Sequence, residues 1–160
     1  MKQSFKFGTF AIISLALLSA GCATTQTPPT PETIAQRQAA VAELDKQPEA
    51  RIIFESQVDS FRVTREDRQD VLYLNKGFGK WYRGPLNCFG MGDPQSAVSL
   101  ATKTDGMGID KFSRFYLLGG GGKNECFVTS LKELNPQQTV VFGLESQKSV
   151  DARLAKKLPK

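Results

Sequence analysis

The sequence predicts a mainly β fold, a small antiparallel sandwich or barrel with a short N-terminal helix and room for a short C-terminal helix. Between residues 51 and 142, short runs rich in β-branched and aromatic residues alternate with turn residues, as in antiparallel sheets. The segments 75–79 and 119–124 carry glycines that suit hairpin connections, because glycine adopts positive φ readily. Residues 50–144, about 95 residues, suffice for one hydrophobic core, so we expect a single β-rich domain.

Eight segments have the composition of strands. In chain order they are Arg51–Glu55, Ser60–Thr64, Asp70–Asn75, Lys80–Leu86, Ala97–Thr102, Phe112–Leu118, Glu125–Ser130 and Thr139–Leu144. A single helical turn over Leu131–Leu134, closed by Asn135 and Pro136, is predicted between the last two strands.

The first 21 residues have the pattern of an export signal. Lys2 and Lys6 form a basic start, an apolar run follows from Phe7 to Leu18, and small residues end it. The run is too short to span a bilayer as a mature helix, which is typical of a cleaved signal peptide. We therefore exclude residues 1–21 from the fold.

Residues 18–22, Leu-Ser-Ala-Gly-Cys, resemble the lipobox at which bacterial lipoprotein precursors are acylated and cleaved. The resemblance identifies Cys22 as the lipidation site. It departs from the usual pattern at Ser19, so an ordinary signal peptide with an incidental cysteine is the alternative. Acyl chains such as palmitate hold a protein at a membrane because each buried methylene contributes about 0.8 kcal/mol. Ala23, in place of Asp, resembles outer-membrane sorting signals, so we expect an anchored, periplasm-facing protein.

Two segments separate the cysteine from the domain. Residues 22–31 are rich in Thr and Pro, which predicts an extended tether. A helical extension is predicted over residues 32–47, because Thr30 can cap its start and Pro48 would end it.

The net charge of the mature chain lies in its basic C-terminal tail, residues 145–160. The chain has 21 Lys+Arg and 16 Asp+Glu residues, and the signal takes two lysines, so the mature chain has 19 against 16, a net charge of +3. The tail has five basic and two acidic residues, so the domain is neutral and we expect no nucleic-acid partner. We expect a frayed, solvated terminus. The alternative is a basic amphipathic helix from Ser149 with Val150, Leu154 and Leu158 on its apolar face.

Few residues point to a functional site. Cys88 and Cys126 are expected to form a disulfide, because exported thiol pairs usually do; separate burial as small apolar residues is the alternative. Trp81, Tyr82 and Arg83 are candidates for stacking contacts with a glycan or peptide ligand, with core packing as the alternative.

The sequence argues against catalysis and against a bound cofactor or metal. It has no histidine, the commonest general base and zinc ligand. The glycine run Gly119–Lys123 lacks the spacing of a phosphate loop, and Asp105–Asp110 lacks the oxygen ligands of a calcium loop. A hydrolase that uses a carboxylate or a Ser-Lys pair remains an alternative, since such partners are recognised by geometry.

A set of short motifs resembles a known family. The motifs are Ser60–Val63, Trp81–Arg83 with Leu86 and Cys88, Gly108–Phe112, and Cys126 with Leu131 and Leu134. Over most of residues 50–134 the chain resembles the domain of unknown function 6491 family, small exported proteobacterial proteins that are often lipoproteins with paired cysteines. Members often carry a further cysteine at the domain start, where this chain has Ile52 and Ile53. The resemblance implies an exported location and no activity.

These features favour a non-catalytic envelope lipoprotein, a binding or assembly module that contacts an envelope protein or a glycan. An envelope hydrolase is the alternative, and it would show a buried Asp or Lys with a shifted pKa in a closed cleft. An open aromatic face would indicate binding, and an exposed apolar patch would indicate a structural partner of a larger complex.

Overall fold

The computed structural model describes residues 30–52, 58–103, 108–119 and 121–157. The predicted signal peptide, Cys22 and most of the tether lie outside these ranges. The predicted mainly β fold is confirmed. The chain forms a curled antiparallel sheet, a half-barrel, with one helix before it and two short helices after it.

Most predicted strands are present. The elements are α1 (Pro31–Asp45), β1 (Ser60–Glu66), β2 (Gln69–Asn75), β3 (Trp81–Gly90), β4 (Ala97–Lys103), β5 (Arg114–Gly119), β6 (Gly122–Val128), β7 (Lys132–Glu133), α2 (Pro136–Val141) and α3 (Gln147–Lys157). A 3₁₀ turn, Pro94–Ser96, precedes β4. Six of the eight predicted strands are confirmed, with ends displaced by four residues or fewer.

The strands lie side by side in the order β1-β2-β3-β6-β5-β4, and every pair is antiparallel. The ten-residue β3 organises the sheet. One of its edges pairs with β2, and the other pairs first with β7 and then, from Leu86 to Gly90, with β6. The β2–β3 connection is the predicted glycine hairpin, with φ of 82° at Gly77 and 71° at Gly79.

The inner core fills the hollow of the curled sheet, because alternate residues of each strand point to the same face. Its buried members are Ile52, Val63, Leu72, Leu74, Tyr82, Leu86, Ile109, Phe115, Leu117, Cys126, Val128 and Leu131. They come from five of the strands and from the segments beside them, so this core joins both halves of the sheet.

A second, outer core lies where α1 and the α2 region pack on the convex face. Its buried members are Ala40, Leu44, Val71, Tyr73, Trp81, Leu134 and Phe142. The strand residues among them come from β2 and β3. Since β2 contributes to both cores, its four consecutive residues 71–74 are fully buried. That uninterrupted apolar run is typical of a strand that is covered on both faces.

The predicted strand Thr139–Leu144 is wrong, because Pro136–Val141 forms helix α2. The Asn135 side chain accepts a hydrogen bond from the Gln138 backbone N–H at 2.9 Å, and the Gln138 side chain accepts one from the Asn135 N–H at 2.9 Å. This reciprocal capping box, with proline in the first turn, outweighs the β propensity of the residues that follow.

The predicted helical turn over Leu131–Leu134 is also wrong. Lys132 and Glu133 form the short strand β7 against β3, which places Leu131 in the inner core and Leu134 in the outer core. Of the predicted strand Arg51–Glu55, Ile52 forms an isolated antiparallel bridge with Ile109, and residues 53–57 lie outside the described chain.

The expectation of a frayed tail is wrong, and the helical alternative is correct through Lys157. Val150 is only 1% exposed. The Arg153 guanidinium donates to both carboxylate oxygens of Glu145, at 2.6 and 2.9 Å. Leu158, the last residue of the predicted apolar face, lies outside the described residues. A buried valine and a bidentate ion pair therefore fasten α3 to the domain.

We expect Val150→Ala to lower the free energy of unfolding by about 2 kcal/mol, because it removes two buried methyl groups and leaves a cavity. Leu154→Ala is the matched control: Leu154 is 37% exposed, so its loss should cost less than about 0.5 kcal/mol. Urea titration followed by circular dichroism measures both values. Equal, small effects of the two substitutions would show that α3 does not pack as described.

Candidate binding surface and its supporting contacts

The three predicted ligand-contact residues, Trp81, Tyr82 and Arg83, do not line one groove. They are consecutive in β3, so their side chains alternate between the faces of the sheet. Trp81 lies in the outer core and Tyr82 in the inner core, and all three residues are buried. Among them, only Arg83 reaches a cleft.

Arg83 belongs to a buried polar cluster with Glu66 and Tyr73. Its Nη2 lies 2.7 Å from Glu66 Oε2, and the Tyr73 hydroxyl donates to Glu66 Oε1. The Arg83 guanidinium carbon also lies 5.5 Å from the centre of the Phe142 ring, a cation–π contact. The cluster ties the end of β1 to β2, β3 and the α2 region.

The electrostatics of the cluster fix its protonation. Burial, and then the negative charge of Glu66, raise the pKa of the Tyr73 phenol, so the hydroxyl keeps its proton. Burial alone would lower the pKa of Arg83, but the Glu66 carboxylate outweighs it and the net pKa is raised. Because Tyr73 and Arg83 each donate to one of the two Glu66 oxygens, the cluster is suited to holding strands together.

A cleft of about 480 Å³ opens beside this cluster, between α1 and the β1–β2 turn. Ile34 and Val41 of α1 are among its apolar lining residues. The charged lining consists of Arg37, Arg65, Arg83, Asp45, Glu66 and Asp67. Three cations face three carboxylates, so the cleft has no net charge with which to attract an anion or a cation.

Lys132 is the buried lysine of the described chain, and its ammonium makes two structural contacts. It donates to the Gln47 carbonyl at 2.6 Å and lies 2.9 Å from Glu49 Oε1. Glu49 in turn accepts a hydrogen bond from the Leu131 N–H at 2.8 Å. These contacts hold the segment after α1 against β7.

The predicted disulfide is present: Cys88 and Cys126 are bonded. They lie directly opposite each other on β3 and β6, and both belong to or pack against the inner core. Because side chains alternate along a strand, the residues that follow the two cysteines, Phe89 and Phe127, point to the outer face.

Phe89, Phe127 and Phe112 form what we call the aromatic surface. They are 68%, 37% and 78% exposed, respectively, and the rings of Phe89 and Phe127 are stacked with centroids 6.0 Å apart. A shallow cavity of about 540 Å³ lies among the three rings. Phe127 lies on β6 and Phe112 just before β5, two strands that contribute no residue to the outer core, whereas Phe89 lies near the far end of β3 from the outer-core residue Trp81.

Two cations border the aromatic surface. Lys111 Nζ lies 5.0 Å from the centre of the Phe112 ring, and Arg114 Nη1 lies 3.2 Å from Glu125 Oε1. Both line the cavity among the rings. Glu125 lines the same cavity, so two cations and one carboxylate border the rings and give a net charge of +1. The surface therefore combines exposed phenyl groups with a weakly basic border.

Sequence reasoning missed the aromatic surface, although a signal existed. Two cysteines that pair across neighbouring strands must point to the same face, so Phe89 and Phe127, each following a cysteine, must share the opposite face. What the sequence did not show is that the helices leave that face uncovered.

Comparison with known protein families, with curated proteins and with solved structures gives no match. Within the described ranges, no helix is both long and apolar enough to cross a membrane. The described Cys, Asp and Glu residues likewise form no group of three or more that could hold a metal ion. The aromatic surface is a group of exposed rings around one cavity that neither burial nor charge explains as structural support.

We expect Cys88→Ser to lower the free energy of unfolding by about 4 kcal/mol, since the bond closes a long loop with a sequence separation of 38. In a Cys22→Ser background, denaturant titration should give the same loss of unfolding free energy for Cys88→Ser, Cys126→Ser and the double variant, because each removes the same bond. Rapid thiol alkylation of unreduced, unfolded protein would contradict the disulfide.

We expect stability to fall above pH 10 in a way that depends on Tyr73. The folded state holds the Tyr73 proton more tightly than the unfolded state, whose pKa is about 10.0, so unfolding is favoured as pH rises past that value. The slope from one group is at most about 1.4 kcal/mol per pH unit.

Urea titrations between neutral pH and pH 11 measure this slope. Tyr73→Phe should make the fall shallower than it is in the unsubstituted chain. An unchanged slope in Tyr73→Phe would show that Tyr73 does not hold its proton through Glu66.

Proposed function

We propose that the chain is a non-catalytic lipoprotein of the bacterial envelope, whose β-rich domain is a binding or assembly module facing the periplasm. The aromatic surface is the observation that carries this proposal. Phe89 and Phe127 on the sheet, together with Phe112 in the turn before β5, are costly to leave in water unless another component covers them. That component is another part of the envelope, a protein, a glycan or the membrane itself.

The location rests on the N-terminal sequence and is supported by the domain. The lipobox-like segment ending at Cys22 assigns the anchor, and Ala23 favours the outer membrane over the inner. The Cys88–Cys126 disulfide fits an oxidising compartment such as the periplasm. The resemblance to the domain of unknown function 6491 family points to the same location.

The contacts of the described charged groups support binding over hydrolysis. The Glu66 carboxylate is engaged at both oxygens, and the buried Lys132 is held by Glu49 and a backbone carbonyl. These groups have structural partners where a hydrolase would need a free acid, base or nucleophile.

We expect the protein from bacterial membranes to begin at Cys22 and to carry acyl chains on it, palmitate among them. Mass spectrometry of the N-terminal peptide tests this expectation. In the matched control, Cys22→Ser, the protein should be recovered in the periplasm after a high-salt wash of the membranes. An unacylated N-terminus, or a Cys22→Ser protein that remains in washed membranes, would contradict the anchor.

A further inference from the structure

We propose that the aromatic surface docks on the bilayer that carries the lipid anchor, with Phe89, Phe112 and Phe127 in the headgroup region and the basic border on anionic lipid. This inference rests on the anchor in the proposed function. It identifies the bilayer as the component that covers the aromatic surface.

The chemistry of the surface fits a lipid interface. Phenyl rings have no polar group to direct towards a specific ligand, and they partition readily into the boundary between headgroups and acyl chains. Lys111 and Arg114 border the rings, and Glu125, the ion-pair partner of Arg114, leaves this border with one net positive charge. A long basic side chain at such a border contacts anionic headgroups while its stem stays on apolar surface.

The sheet topology disfavours an added peptide strand at this position. β3, β6 and β5 are all internal strands, each paired on both sides, so the aromatic surface is a face and not an edge. Strand addition needs unpaired backbone N–H and C=O groups along an edge. The aromatic surface presents side chains and no unpaired strand edge, which suits insertion into lipid.

The tether limits how far the domain can move from the bilayer. Residues 22–29 precede the first described residue, Thr30, and eight residues extend to at most about 28 Å at about 3.5 Å each. A domain held within this reach has a high effective concentration at the membrane, so weak insertion of a few side chains is enough for docking.

Vesicle sedimentation of the full mature chain carrying Cys22→Ser measures docking without the anchor. The vesicles contain phosphatidylethanolamine and about one quarter phosphatidylglycerol, an anionic lipid. We expect Phe112→Ser and Phe89→Ser each to lower the partition coefficient about tenfold, because each removes one inserted ring. Phe78→Ser is the matched control: Phe78 is 97% exposed but lies in the β2–β3 turn, so its loss should change nothing.

A second measurement restores the anchor in vitro, in case docking without it is too weak to sediment. Cys22 is the one cysteine outside the disulfide, so the mature chain can be coupled through it to a maleimide lipid. A tryptophan reporter introduced as Phe112→Trp should be quenched by brominated lipids, and one introduced as Phe78→Trp should not. Retained circular dichroism spectra confirm that the variants fold.

Equal quenching of the two reporters, or none at either position, would overturn the inference. So would a photocrosslinker at position 112 that forms protein or glycan adducts in cells in place of lipid adducts. Because the coupled lipid replaces natural acylation, these results do not depend on whether Cys22 is acylated. If the chain docks on vesicles but is unacylated in cells, the lipid anchor is refuted and the proposed docking of the aromatic surface still stands.

Discussion

The rest of the structure depends on one constraint: the helices cover only part of the convex face of the curled sheet. The hollow of the sheet is filled by its own strands, but the convex face needs another layer to bury it. Helices α1 and α2 supply that layer over β2 and β3, where the outer core lies. The convex face of β6 and β5 is left open, and the aromatic surface lies at the border of this open half.

Different interactions secure the two halves of the sheet. On the covered half, the buried cluster of Glu66, Tyr73 and Arg83 ties β1, β2 and β3 together beneath the helices. On the open half, the Cys88–Cys126 bond joins β3 to β6 directly behind the exposed rings. A covalent link behind the aromatic surface holds together the two strands that carry Phe89 and Phe127, which lowers the entropic cost of binding.

The sequence predicted the features that depend on local patterns. Alternation and glycine turns located six strands, and a cysteine pair in a chain expected to be exported indicated the disulfide. It failed where a short-range signal competed with composition, as at α2, where the cap at Asn135 outweighed the β-branched residues after it. It also failed where function depends on what covers a residue: Trp81 appeared to be a contact residue and is buried, whereas Phe112 is exposed because no helix reaches it.

The aromatic surface should be bare in the isolated domain and covered in the envelope. Hydroxyl-radical footprinting compares the mature chain carrying Cys22→Ser in solution with the native protein in intact membranes. Phe89 and Phe112 should be oxidised rapidly in solution and protected in membranes, while Phe78 is oxidised equally in both. Equal oxidation of Phe112 in the two settings would show that nothing in the membrane covers the aromatic surface.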